Sequence, residues 1–185
     1  MVSLSSCYSE TSTDFSQMEF PDYVGIGDLA YKAAYEWRDD AYLGQVFIYP
    51  YQKRIDYHFY SNEYPLQAIS ILAYYDNADE IVLESLNGTL NVEKNYEHRI
   101  ILGSLEINAK EAYEIAYPIA EEIFEGSELL PSEVFLRLNQ DYRKSNHRIL
   151  NWQVSFLFDQ GNIHIRLDSS TGEVLEINPS DNFNN

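Results

Sequence analysis

The chain presents one order of elements twice: an apolar stripe with helical spacing, followed by short runs rich in aromatic and β-branched residues. The first stripe consists of Ala30, Ala33, Ala34, Trp37 and Ala41. The second stripe consists of Ala112, Ile115, Ala116, Ile119 and Ile123. Such stripes are typical of amphipathic helices, and short runs between turn residues are typical of an antiparallel meander. We therefore expect an α+β fold of two tandem helix-plus-antiparallel-β-sheet units.

Candidate caps set the expected ends of both helices. Asp28 is a natural N-cap for the first helix, and Gly44 is a natural stop signal. Asn108 and Glu111 have the spacing of a capping box at the start of the second helix, which we expect to end at Gly126.

The strand-like runs are separated by residues with turn chemistry. In the first half we expect strands at residues 45–49, 54–60, 66–75, 80–84 and 89–92, with turns at 76–79 and 85–88. In the second half we expect strands at residues 133–138, 150–158, 163–168 and 173–177. One basic cluster, in a segment expected to be a solvated loop, consists of Arg143, Lys144, His147 and Arg148.

The two halves also share short sequence matches, which favour a duplication. Ala-Tyr pairs at residues 30–31 and 34–35 recur 82 residues later, at 112–113 and 116–117. Residues 81–84 and Gly88 match residues 165–168 and Gly172 at an offset of 84. We therefore divide the chain into a disordered acidic arm (1–25), a first unit (26–101), a second unit (102–178) and a tail (179–185).

Residues 107–177 resemble a PepSY-type domain, a small helix-plus-sheet module of cystatin-like outline found in bacterial secreted and membrane-associated proteins. The resemblance rests on residues 107–112 and 152–154, and above all on the close Leu-Asp-Ser-Ser-Thr-Gly-Glu-Val-Leu at 167–175. It implies a non-catalytic module, in some members proposed to restrain a peptidase. The segment from Gly126 to Leu150 is longer than in the family, and Pro118 is expected to kink or split the second helix.

The charge excludes some classes of partner. With 12 basic and 30 acidic residues the net charge is −18, so phosphate backbones and anionic membrane surfaces repel the chain. The single Cys7 excludes an intramolecular disulfide. Residues 4–7, Leu-Ser-Ser-Cys, resemble the lipobox of bacterial lipoproteins, so anchoring at Cys7 through an upstream signal segment is an alternative to a cytoplasmic location.

Catalytic motifs are not apparent. The four histidines (58, 98, 147 and 164) are scattered without a second ligand at metal spacing, and we expect them on solvent-facing strands or loops. The sequence has neither a Gly-x-Ser-x-Gly elbow nor a phosphate-binding glycine loop. We therefore expect neither an enzyme nor a cofactor.

Two sets of residues are candidates for binding another protein. The stronger is an acidic surface on the second helix, made of Glu111, Glu114, Glu121, Glu122 and Glu125. The weaker is an aromatic surface on the first sheet, made of Tyr49, Tyr51, Tyr57 and Tyr60.

Three functions fit these features. The first is a non-enzymatic module that binds or inhibits a protein with a basic surface, with the bacterial envelope as its candidate location. The second is an intracellular acidic antagonist, of the immunity or nucleic-acid-mimicking type, of a basic nuclease or nucleic-acid-binding protein. The third is a carrier of a small ligand between helix and sheet.

Overall fold

A computed structural model describes residue 18 and residues 20–77, 80–90, 99–125, 134–144, 147–159 and 161–181. Its helices are α1 (Tyr23–Trp37) and α2 (Ala109–Ile123). The strands of the first half are β1 (Tyr42–Tyr49), β2 (Arg54–Tyr60), β3 (Gln67–Asn77) and β4 (Glu80–Thr89). Those of the second half are β5 (Phe135–Lys144), β6 (His147–Leu157), β7 (Gly161–Asp168) and β8 (Val174–Asp181). Several predictions lie outside the described residues, namely those for Cys7, His98 and Gly126 and for residues 1–17, 78–79, 91–92 and 182–185.

The eight strands form one antiparallel sheet in the order β4-β3-β2-β1-β5-β6-β7-β8. The two halves meet where β1 pairs with β5, with Phe47 opposite Arg137. The expected α+β class is therefore confirmed: two helices accompany an antiparallel sheet. The sheet runs through both halves, so its topology does not mark a boundary between two units. The division into two tandem units therefore stays a prediction.

Helix α1 begins earlier than the sequence suggests. Asp22 is its N-cap, with a carboxylate that accepts a hydrogen bond from the Gly25 N–H at 3.0 Å. Asp28 therefore lies inside the helix, and the expected end of the acidic arm at residue 25 falls within α1. The predicted stop at Gly44 is also wrong, because the helix ends at Trp37 and Gly44 belongs to β1.

Helix α2 matches its predicted start. The Asn108 side chain accepts from the Glu111 N–H at 3.0 Å, and the Glu111 carboxylate accepts from the Asn108 N–H at 2.8 Å, which completes the capping box. The helix continues through Pro118 and is not split there. Pro118 is exposed, so the Glu114 carbonyl that lacks its usual N–H partner lies on the solvent side.

The predicted turn at residues 85–88 is wrong. These residues lie inside β4, where Ser85 pairs with Ile71 and Gly88 pairs with Ala68. The corresponding turn of the second half does form: the Asp168 carboxylate accepts from the Ser170 N–H at 2.8 Å, and Gly172 has a φ of +72°. Gly88 and Gly172 are therefore not equivalent.

The basic cluster also lies in strands rather than in a loop. Residues 143 and 144 are in β5 and residues 147 and 148 are in β6, with Arg143 opposite Arg148 in the ladder. Polar composition made this hairpin look like a loop, whereas pairing of the flanking β5 and β6 backbones holds it in the sheet.

One apolar core lies between the helices and one face of the sheet. It takes buried residues from both halves, and the Tyr23 ring of α1 meets the Trp152 ring of β6 edge-on at 5.9 Å. The Trp152 Nε1–H donates to the Ile107 carbonyl at 2.8 Å, which ties β6 to the segment before α2. The opposite face of the sheet, called the outer face below, carries the alternate residues of each strand.

Candidate functional site

The acidic residues of α2, called the acidic stripe below, lie on one side of the helix, in one group before Pro118 and one group after it. At about 100° per residue, the four glutamates within α2 occupy roughly 100° of the helix circumference, opposite the buried Ala112, Ala116 and Ala120, and Glu125 follows just after the helix ends at Ile123. All five are exposed: Glu111, Glu114, Glu121, Glu122 and Glu125. The structure therefore brings together the residues of the stronger predicted site.

Three of these carboxylates already have a partner within α2. Glu111 caps the helix as described, and Lys110 Nζ lies 3.7 Å from Glu114 Oε1 in an exposed pair. The Tyr117 hydroxyl donates to Glu121 Oε1 at 2.7 Å. An exposed ion pair of this kind contributes little to stability and leaves the carboxylate accessible to a partner.

The four tyrosines of the weaker predicted site do not form one surface. Tyr57 is fully buried under α1, and its hydroxyl donates to the Tyr23 carbonyl at 2.6 Å. Tyr60 is buried, with its hydroxyl on Gln45 Oε1 at 3.2 Å, and Tyr51 packs against the core. Tyr49 and Tyr60 both lie on the outer face, but Tyr60 is buried there with Tyr42 and Ala68, whereas the Tyr49 ring stacks on Phe135 at 6.0 Å.

Aromatic rings and charged groups alternate on the outer face around Tyr49. The Arg54 guanidinium lies 4.3 Å from the centre of the Tyr49 ring and bonds the Asp56 carboxylate at 2.9 Å. Burial raises the pKa of Asp56, and the neighbouring Arg54 partly offsets this effect. Phe47 lies beside them, with the Arg137 guanidinium 5.4 Å from its ring centre. No sequence pattern predicts this cluster, because its members come from three strands.

Two histidines pair with serines across strands. His58 Nδ1 is 3.2 Å from Ser70 Oγ between β2 and β3, and His164 Nδ1 is 2.8 Å from Ser155 Oγ between β6 and β7. Burial lowers the pKa of His58 to about 4 and also lowers that of His164. Both are only partly exposed, so the expectation of solvent-facing histidines is not met at these two positions.

A cavity of about 230 Å³ opens where α1 ends beside β3 and β4. Its walls are formed by Trp37, Gln67, Ala68, Asn87, Gly88 and Thr89. Gly88 leaves the floor open, since a Cβ there would meet only the Ala68 carbonyl oxygen, at 4.0 Å.

Two classes of feature are missing from the described part of the chain. Among those residues, no group of three or more His, Cys, Asp or Glu side chains is placed to hold a metal ion. Neither described helix has the length and apolar character needed to cross a membrane.

Comparison with solved structures gives two matches. A Clostridium difficile 630 protein described as a "putative lipoprotein" is 15% identical, with a TM-score of 0.57 over 89% of this chain and 98% of that one. The Bacillus megaterium YpeB C-terminal domain is 12% identical, with a TM-score of 0.34 over 89% of this chain and 69% of that one. No protein-family model and no curated protein matches the chain. The first match shows that this chain shares its overall fold with the Clostridium difficile protein.

Proposed function

We propose that this chain is a non-enzymatic module that binds another protein at the bacterial envelope. The observation that carries the proposal is the exposed acidic stripe on α2. A stripe of one sign attracts a basic surface and raises the rate of association. The partner is therefore expected to present lysines and arginines.

Two observations support the envelope location. The Clostridium difficile protein with the same fold is described as a lipoprotein candidate, and residues 4–7 of this chain resemble a lipobox ending at Cys7. Residues 107–177 resemble a PepSY-type domain, and some members of that family are proposed to restrain a peptidase. Inhibition of a peptidase is therefore one form that the proposed binding function can take.

The proposal includes a duplicated origin of the two halves. Their N-caps, Asp22 and Asn108, stand 86 residues apart. The buried α1 residues Ile26, Ala30 and Ala34 are followed 86 residues later by Ala112, Ala116 and Ala120. Each half also has a histidine–serine pair between its second and third strands, although the histidine is on the second strand in the first half and on the third strand in the second half. This spacing replaces the offset of 82, which would align Ile26 with the N-cap Asn108 of α2.

Charge reversal tests the acidic stripe. The triple variant Glu114→Lys, Glu121→Lys, Glu122→Lys is compared with a control of equal charge change, Asp28→Lys, Asp39→Lys, Glu63→Lys, which alters exposed acids elsewhere. Each immobilised protein is exposed to an envelope extract of the source organism at 50 mM and 500 mM salt. We expect a partner that the wild type and the control retain at low salt, that the stripe variant loses, and that high salt releases.

Two outcomes contradict the proposal. Equal retention by the stripe variant and the control removes the acidic stripe as the binding site. Retention of a nuclease whose activity the chain inhibits favours the antagonist over the envelope module.

A further inference from the structure

Strand β4 forms one edge of the sheet and carries exposed apolar side chains on both of its faces. The exposed fractions are 36% for Ile81, 49% for Val82, 36% for Leu83 and 56% for Leu86. No strand of the described part of the chain pairs with the outer side of β4. Soluble proteins usually protect such edges with lysine, proline or a bulge, because an open edge can pair with another chain. The ten residues of β4 contain neither lysine nor proline.

The other edge of the sheet is protected. Strand β8 contains Pro179, which has no N–H to offer an incoming strand. Its Glu176 accepts a hydrogen bond from Asn178 Nδ2 at 2.9 Å and lies 3.4 Å from Arg166 Nε. The two edges therefore differ, and β4 is the one suited to strand addition.

The ladder shows which backbone groups of β4 face outward. The Leu90 N–H donates to the Leu66 carbonyl at 2.7 Å, so residue 90 faces β3. Because inward and outward positions alternate along an antiparallel strand, the N–H and C=O groups of Leu83, Ser85 and Asn87 face the open edge. An incoming strand would find three regularly spaced donors and acceptors there.

The C-terminal end of helix α1 lies beside strand β4. Leu29, Ala33 and Trp37 follow one another at intervals of four residues along the side of α1 next to its buried stripe. Leu29 is 38% exposed, and Trp37 shares the wall of the 230 Å³ cavity with Asn87. A strand added to β4 would therefore lie near Trp37, at the end of α1, and near a cavity with room for one of its side chains.

Charge indicates the kind of strand that would bind. A second copy of this chain would bring another net charge of −18, and the two chains would repel each other. Glu84 lies exposed on β4 between Val82 and Leu86, and Glu36 lies exposed next to Trp37. We propose that β4 binds an extended segment of a partner protein, in which basic and apolar residues alternate, as a ninth strand of the sheet.

This inference shares with the proposed function only the premise that the chain binds another protein, because α2 and β4 are separate surfaces. The test uses an acetylated, amidated octapeptide of alternating lysine and valine. A control peptide of the same sequence carries N-methyl groups on all of its backbone nitrogens, so it keeps its charge but has no N–H to donate to a ladder from either edge. We expect the first peptide to bind and the second to bind at least tenfold more weakly.

Amide exchange locates the bound peptide on the ¹⁵N-labelled protein. We expect the peptide to slow exchange at Leu83, Ser85 and Asn87, which face the open edge, with little change at the inward-facing residues between them. The double variant Leu83→Lys, Leu86→Lys should weaken binding at least tenfold. The matched double variant Val174→Lys, Ile177→Lys, at 37% and 41% exposed positions of β8, should leave it unchanged within twofold.

Several results would overturn the inference. The N-methylated peptide could bind as tightly as the unmodified one, or the peptide could protect only amides outside β4. The chain could also dimerise through β4 without peptide, which would make a second copy the occupant of this edge. Reversal of Glu114, Glu121 and Glu122 should change peptide binding less than threefold. If that reversal abolishes peptide binding and the β4 variant does not, the peptide binds the acidic stripe. If the chain retains no envelope partner but the peptide still binds β4, the proposed function fails and the inference about β4 stands.

Discussion

His58 lies in an environment that differs strongly from that of an exposed side chain. It belongs to strand β2 and lies beside the Phe47 ring of β1 at 5.1 Å and Ser70 Oγ of β3 at 3.2 Å. Burial lowers its pKa to about 4, and the nearby Arg137 cation acts in the same direction. The folded protein therefore holds this imidazole neutral under conditions in which the unfolded chain protonates it.

Stability should consequently fall on acidification through His58. Below pH 6.5 the unfolded state binds a proton that the folded state refuses, so the contribution is lost between pH 6.5 and about 4. We predict that wild type loses about 2 kcal/mol relative to His58→Gln between pH 7.5 and 5.0, at about 1.4 kcal/mol per pKa unit. Urea unfolding at a series of pH values, all above the pI of 4.4, measures the difference.

Comparing the wild type with a variant cancels the contributions of the acidic residues to the free energy of unfolding, because these residues titrate in both proteins. His164→Gln serves as a second control, because burial lowers the pKa of His164 as well and the same sign is expected. A difference between wild type and His58→Gln that stays constant from pH 7.5 to 5.0 would show that His58 is protonated in the folded protein.

At the scale of elements, the turn between β7 and β8 and strand β4 place very different demands on their glycines. Gly172 has a φ of +72°, and a Cβ there would lie 3.0 Å from Ile115 Cδ1. Gly88 has no such conformation, and a Cβ there would meet nothing nearer than 4.0 Å. The first position requires glycine, whereas the second accepts a side chain.

We predict that Gly172→Ala lowers the free energy of unfolding by about 1–2 kcal/mol. Gly88→Ala should leave it unchanged within about 0.5 kcal/mol, because alanine suits a strand at least as well as glycine. Chemical denaturation of both variants checks the pair. Equal destabilisation would mean that Gly88 also occupies a turn, as the sequence match with Gly172 suggests.

Elements were predictable where local chemistry decides them. The capping box of Asn108 and Glu111 and the turn before Gly172 depend on neighbouring residues, and both form as expected. The start of α1 was missed because Gly25 and Gly27 disfavour a helix locally. Packing overrides that preference: a Cβ on Gly27 would lie 2.5 Å from Leu102 Cδ1, so the close approach of α1 to this segment needs glycine.

The candidate sites divide in the same way. The acidic stripe of α2 follows from helical spacing alone, so the sequence places Glu114 and Glu121 on one side of the helix. The tyrosines do not follow, because the face on which a strand residue lies depends on its register. Tyr57 therefore lies in the core and Tyr49 on the outer face, although both belong to neighbouring strands of similar composition.

At the scale of the whole molecule, the sheet and the core extend across the division between the halves. Strand β1 pairs with both β2 and β5. Among the described residues, the large apolar core contains residues of both halves, and the second cluster is much smaller. Tyr23 of the first half packs on Trp152 of the second. Loss of structure in one half would expose core residues of the other, so we expect the halves to unfold together.

The two tryptophans allow this expectation to be measured, because Trp37 lies in the first half and Trp152 in the second. Fluorescence of Trp152→Phe reports on the first half, and that of Trp37→Phe reports on the second. In each variant we predict that the fluorescence transition in urea coincides with the loss of secondary structure followed by circular dichroism. Since both probes are compared within one variant, any destabilisation by the substitution itself cancels. Fluorescence and dichroism midpoints that separate by more than about 0.5 M would instead show two domains that unfold independently, with the β1–β5 pairing too weak to couple them.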